Sequence, residues 1–243
     1  MPRFFVPNPL VIGEETRIDG GDARHIGGAL RMRPGETLTL CDGKGTDYAA
    51  TVTAVERESV TLRVDSAVPN ATEPTVAVTL YMGLPKGDKM ELIIQKAVEL
   101  GITAICPVIT GRSIVRIPDG KEGEKKRVRW QRIADEAAGQ SGRGILPQVE
   151  APVSWKLALS RLAAENTLIC YEGGGSPIGE AVTPQTETLS LVVGPEGGFS
   201  PEEVEQVLAG GGRAVTLGPR ILRCETAPLA ALAVVMERTG NMK

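Results

Sequence analysis

Apolar positions change their spacing about a third of the way along the chain. Before that point the runs are short and nearly alternating: TLTLC at residues 37–41, YAATVTAV at 48–55 and SVTLRV at 59–64, with CDGKG as an intervening turn. Their β-branched content and period-two pattern predict a small, mostly antiparallel β domain. Residues 66–74, SAVPNATEP, are small, polar and proline-bearing, and are expected to form a linker. From residue 76 the apolar runs become continuous, as in VAVTLYM (76–82), ITAICPVI (102–109), TLICY (167–171), LSLVVG (189–194) and RAVTL (213–217). Helical patterns fall between them. Residues 88–100 place Met90, Ile93, Ile94, Ala97 and Val98 on one stripe before Gly101, and further helices are predicted over 124–140, 154–165, 201–209 and 227–237. This alternation predicts an α/β domain on a largely parallel sheet.

Composition adds exclusions. The 243 residues are 42% hydrophobic and 23% charged, enough for one large core or two modest ones. His25 is the only histidine, and Cys41, Cys106, Cys170 and Cys224 are far apart, so neither a zinc knuckle nor a CxxC redox pair can be written, and no metal is expected. The start of the chain lacks a secretory pattern and no run of about 18 apolar residues occurs, so reduced thiols, a cytoplasmic location and no membrane span are expected.

Net charge is −3, which discourages a nucleic-acid partner until it is counted by region. Residues 86–147 carry 12 basic and 8 acidic side chains, a block of +4 between acidic flanks. Within it, KKRVRWQR (125–132) holds five cations around Trp130, and Arg143 follows in QSGRG. Such a run is either a solvated helix face or a phosphate-contacting stripe.

Two glycine loops carry the candidate chemistry. The first, GPEGGFSPEE at 194–203, joins a strand to a helix start marked by Ser200, Pro201 and Glu203. That is the layout of a nucleotide loop, yet it has neither the Lys-Ser/Thr of a P-loop nor GxGxxG spacing. Glu196, Glu202 and Glu203 are expected to crowd and repel a polyphosphate there, which favours an adenosine-like or cationic ligand; a plain tight turn is the competing reading. The second loop, LGPRILRCETA at 217–227, puts Arg220, Arg223 and Glu225 at a strand end, as a ligand loop or as a salt-bridged connector. A weaker signal is Cys170, Tyr171 and Glu172 before three glycines. His25 is expected to be structural, and no cysteine has a setting that argues for covalent catalysis.

Taken together, KGDKMELIIQKAVELGI, RWQRIADEAAGQSGR, GPEGGFSPEE and LGPRILRCETA resemble the RsmE family of 16S ribosomal RNA uridine-N3 methyltransferases. Arg3-Phe4-Phe5 and HIGGALRMRPGE extend the likeness to the start of the chain, while Cys224 stands where the family commonly has threonine. The resemblance implies a PUA-like β-barrel at 1–72 and, at 73–243, a SPOUT methyltransferase domain with a trefoil knot and cofactor site around 168–230. The knot rests wholly on the family, because chain connections rarely thread one another. It also implies a homodimer, S-adenosyl-L-methionine as cofactor, and 16S ribosomal RNA or the small ribosomal subunit as partner.

Carried onto this chain, the cofactor residues are Cys170, Tyr171, Glu172, Gly194, Pro195, Glu196, Gly197, Gly198, Leu217, Gly218, Ile221, Leu222, Arg223 and Thr226. Removing the proton of uridine N3 calls for a carboxylate, and the charge that develops on the base calls for a guanidinium, so Glu196, Glu225, Arg220 and Arg223 are the catalytic candidates. RNA contacts are expected from Arg3, Arg24, Arg31 and Arg33, if folding gathers them on one face, and from Lys125, Lys126, Arg129 and Arg143. The competing hypothesis is a non-catalytic RNA-binding or ribosome-assembly factor of the same fold, against which the intact loops count; an enzyme using another nucleotide lacks its phosphate signatures.

Overall fold

The computed structural model describes residues 1–7, 9–115, 117 and 120–242. The chain divides into two units, one of Met1–Glu73 with Ala138–Leu146, the other of Pro74–Ala137 with the chain from Pro147 onward.

In the first unit, strands β1 (Arg3–Phe5), β2 (Glu15–Asp19), β3 (Thr37–Cys41), β4 (Thr46–Val55) and β5 (Ser59–Pro69) form one sheet in the order β1-β3-β4-β5-β2. The β1–β3 pairing is parallel and the others are antiparallel. Alternation does what the sequence pattern predicts: Leu38 and Leu40 of β3, Ala50 and Val52 of β4, and Val60, Leu62 and Val64 of β5 are buried in one core. A short helix α1 (Gly20–Arg24) and a π-type turn (His25–Ala29) add Ala23 and Ile26 to it. Each fully buried leucine contributes about 2 kcal/mol. His25 itself is exposed, with its ring edge-on to Phe4.

The expected linker is partly strand. Residues 66–69 continue β5 and pair with Thr46–Ala49 in reverse order, after a bulge at Ala49/Ala50. Ser, Ala and Pro have weak strand propensity, and a partner strand that runs past the bulge overrides it.

The second unit contains β6 (Ala77–Gly83), α2 (Lys89–Glu99), β7 (Ala104–Ile109), α3 (Lys121–Ser141), β8 (Gln148–Val149), β9 (Val153–Ser154), α4 (Trp155–Leu162), β10 (Thr167–Cys170), β11 (Ser176–Pro177), α5 (Ile178–Ala181), β12 (Thr188–Val193), α6 (Pro201–Ala209), β13 (Arg213–Thr216) and α7 (Ala227–Arg238). The last turn of α3 belongs to the first unit. The sheet runs β11-β13-β10-β12-β6-β7-β8, with β9 also on β7, and its pairings are parallel. The continuous apolar runs follow from burial on both faces. Tyr81, Cys106, Val108, Ile169 and Val192 meet Ala158 and Leu162 of α4 and Val204 and Val207 of α6 on one face. On α2 the buried residues are Met90, Ile93, Ile94, Ala97 and Val98, the stripe read from the sequence, and α2 and α5 both pack against α7. Gly101 stops α2 with φ +96.

Because β10 lies between β12 and β13, the chain leaving β12 crosses over β10 through α6 to reach β13. It then returns through the loop at 217–226 to α7, which packs back on β12. The connections leaving β12 and β13 thereby start from the same, C-terminal, end of the strands.

Candidate functional site

The parallel register sets Ile169 beside Val192 and Cys170 beside Val215, so β10, β12 and β13 end at one level. In open α/β sheets, ligands bind at such C-terminal strand ends. The loop after β12 is held from several sides. Ser200 Oγ accepts the Glu203 N–H at 3.3 Å, and Glu203 Oε2 accepts the Ser200 N–H at 2.9 Å, the capping box that the sequence predicts. Glu203 Oε1 also accepts the Gly111 N–H at 2.7 Å, so both oxygens of this buried carboxylate are used. Arg112 Nη1 donates to the Gly197 carbonyl at 3.0 Å.

Glycine is required here by close approach. A Cβ on Gly194 would lie 3.1 Å from Gly198 Cα, and one on Gly198, at φ +64, would lie 2.8 Å from Glu172 Oε1. The walls of this loop are therefore largely backbone, with the Gly198 N–H donated to the Pro195 carbonyl at 2.9 Å.

Together the three loops enclose a cavity of about 820 Å³. Its lining includes Cys170, Tyr171 and Glu172 after β10; Gly194, Pro195, Glu196, Gly197 and Gly198 after β12; and Leu217, Gly218, Arg220, Ile221, Leu222 and Arg223 after β13. Of the cofactor and catalytic candidates read from the sequence, all but Glu225 and Thr226 thus line one cavity. Thr226 lies just beyond, as the residue before α7, and Glu225 reaches the site through Lys89. The expected crowding by Glu202 and Glu203 is not observed. Glu203 turns inward as a cap and neither lines the cavity, leaving Glu172 and Glu196 as the carboxylates of the wall.

Lys89 and Arg112 escaped the sequence reading. Lys89 Nζ is 2.9 Å from Glu196 Oε1 and 3.4 Å from Glu225 Oε2. A signal existed: a lysine in the first turn of a helix opposes the macrodipole and so asks for a tertiary partner. Burial alone raises the Glu196 pKa, but hydrogen bonds from Lys89 and from backbone amides bring it below the usual carboxylate value. The Cys224 thiol, which donates to Glu225, and Lys89 hold Glu225 low as well. Those carboxylates in turn raise Lys89. Burial, and for Cys224 also its bond to Glu225, pushes Cys170 and Cys224 up to about 12, so neither is a thiolate near neutral pH. Among the described residues no group of three or more potential ligands is placed to hold a metal, and no helix is long and apolar enough to cross a membrane.

The residues expected to touch RNA are dispersed. Arg3, partly buried, pairs with Asp47 at 2.6 Å, and Arg24 pairs with Glu58 at 2.7 Å on the surface. Arg31 is exposed with φ 53, and exposed Arg33 donates its backbone N–H to Glu36. Among the described contacts these four share no partner. On α3, Arg127, Arg129 and Arg132 pair with Glu124, Glu91 and Glu136, whereas Lys125 and Lys126 form no ion pair among the described residues. One expectation is corrected: Arg143 is only 4% exposed and bound to Glu73, so its guanidinium is turned away from solvent. Trp130, which stands among the cations in the sequence, is itself buried and lends the phosphate-stripe reading no exposed ring.

Comparison with known proteins agrees with this geometry. The RNA methyltransferase domain family matches residues 72–236, and the RNA methyltransferase PUA domain matches 18–65. The chain is 37% identical to the ribosomal RNA small subunit methyltransferase E of Bacillus subtilis, over 100% of this chain and 99% of that one. It is 33% identical to the protein of the same name from Mycobacterium tuberculosis, over 96% and 90% of the two chains. A crystal structure of a ribosomal RNA small subunit methyltransferase E from Neisseria gonorrhoeae, bound to S-adenosyl methionine, superposes with a TM-score of 0.89 at 38% identity, covering 98% of this chain and 97% of that one.

Proposed function

The chain belongs to the ribosomal RNA small subunit methyltransferase E family, and from that membership we propose that it uses S-adenosylmethionine to methylate N3 of a specific uridine in 16S ribosomal RNA, as a cytoplasmic homodimer. The observation that carries this reading is the cavity at the ends of β10, β12 and β13, whose walls are glycine backbone and apolar side chains with carboxylates beside them. Such a lining fits the cofactor's parts. Glycine backbone that can be approached closely suits an adenine edge, Leu217, Ile221 and Leu222 suit the faces of the base, and Glu172 and Glu196 suit ribose hydroxyls or a positive charge while repelling polyphosphate.

When bound, S-adenosylmethionine supplies a methyl group on a sulfonium, open to in-line displacement. The chain's own part is alignment and proton transfer. Uridine N3 is a poor nucleophile while protonated and lies on the Watson–Crick edge, so the base has to be unpaired before it enters. Glu196 or Glu225 takes the N3 proton, and Arg220 and Arg223 offset the negative charge that develops on the neighbouring carbonyl oxygens. RNA is held by exposed cations of the first unit and by Lys125, Lys126 and Arg129 of α3.

Calorimetric titration of the purified protein with S-adenosylmethionine, ATP and NAD tests the cofactor. Saturable binding of the first and not of the other two is expected. Failure to bind the first contradicts the proposal.

A further inference from the structure

Lys89 opens α2, at the end of the helix where an ammonium is least at home, and two carboxylates from distant parts of the chain hold it there. Lys89, Glu196 and Glu225 keep 32%, 29% and 22% of their side-chain exposure; Lys89 and Glu196 line the cavity, and Glu225 is tied to it through Lys89. Glu196 Oε1 also accepts the Lys86 N–H at 3.1 Å, and Cys224 Sγ donates to Glu225 Oε2 at 3.2 Å. Other charged groups facing the cluster are Glu172 after β10 and Arg220 and Arg223 in the loop after β13; Asp88 precedes Lys89 on its own element. One ammonium is thus shared by two carboxylates, and the cluster carries one negative charge that a single proton would cancel.

Resting on the function proposed above, we infer that Lys89 is a positioning residue for proton removal: it bridges Glu196 and Glu225 so that one accepts the N3 proton while the other keeps the ion pair. In that step the N3–H bond breaks, its electron pair stays on nitrogen, and the proton forms an O–H bond on one carboxylate. The cluster passes from a net single negative charge to neutrality, and no second base is called for. The bridge also joins the loop after β12 to the one after β13, which keeps the acceptor at a fixed place in the cavity wall.

The test is a carboxyl-carbon NMR titration of the ligand-free full chain, comparing wild type with Lys89→Met and Lys89→Arg. At least one of Glu196 and Glu225 is expected to bind its proton about tenfold more tightly in Lys89→Met, with Lys89→Arg close to wild type. The acidic limb of the kcat profile should move up by about one pH unit in Lys89→Met and return in Lys89→Arg. Unchanged carboxyl titrations, or a profile lowered in height and not displaced, would overturn the inference. Wild-type calorimetry with S-adenosylmethionine separately decides the reading on which it rests.

Discussion

Arg143 and Glu73 are locked together, with Nε and Nη2 of the arginine 3.1 and 2.7 Å from the two carboxylate oxygens. The Gly144 and Ile145 amides donate to the same Oε1 at 2.8 and 3.0 Å. A Cβ on Gly144 would lie 2.4 Å from Asn70 Cβ, so this turn admits only glycine. The QSGRG segment is therefore an anchor of the first unit. Burial works against ionisation of Glu73, but Arg143 and the two amides outweigh it and hold the carboxyl below its usual value.

Because the folded value is depressed, the Glu73 contribution is fully present above the ordinary glutamate value and is lost as pH falls through the folded one. Glu73→Gln leaves a buried guanidinium short of its counter-charge, and should cost on the order of 3 kcal/mol at neutral pH. Urea unfolding at pH 7 and below about pH 4 checks this. The difference between wild type and variant should shrink in acid, and a difference independent of pH contradicts the assignment.

Gly83, at the end of β6, supports the site without lining it. A Cβ there would lie 2.4 Å from Pro195 Cδ and 2.7 Å from Pro195 N, so the loop after β12 has to move. Gly83→Ala should weaken S-adenosylmethionine binding at least about tenfold in calorimetry, roughly 1.4 kcal/mol. Gly21→Ala, where a Cβ meets nothing within 4 Å, should leave affinity unchanged.

On α3, Lys125 and Lys126 stand outside ion pairs among the described residues, as does Lys121 at its start, whereas Arg129 is committed to Glu91 at 2.7 Å. If α3 contacts phosphate, Lys125→Ala with Lys126→Ala should lower the slope of log affinity for RNA against log salt by about 1.5. Arg129→Ala should change it less. A slope unaffected by the double variant makes α3 a solvated face.

Much of this was legible in the sequence where local pattern and burial coincide. The α2 stripe and the Ser200 capping box follow from spacing alone, and the continuous apolar strands imply a sheet covered on both sides. What escaped depended on partners distant in sequence. Lys89 meets Glu196 across 107 residues, and no local rule reveals that contact. Arg143 reads as a surface cation until Glu73, 70 residues away, is folded over it. Residues 66–69 look like a linker because their propensity is weak, and they are strand only because Thr46–Ala49 offers an edge to pair with.

The measurement that tests the central claim most directly is mass-spectrometric mapping of 16S ribosomal RNA taken from small subunits that lack this modification, after incubation with the purified protein and isotopically labelled S-adenosylmethionine. The account predicts one added methyl group, on N3 of a single uridine. Label on a ribose oxygen, on another base, or nowhere in the RNA would contradict it.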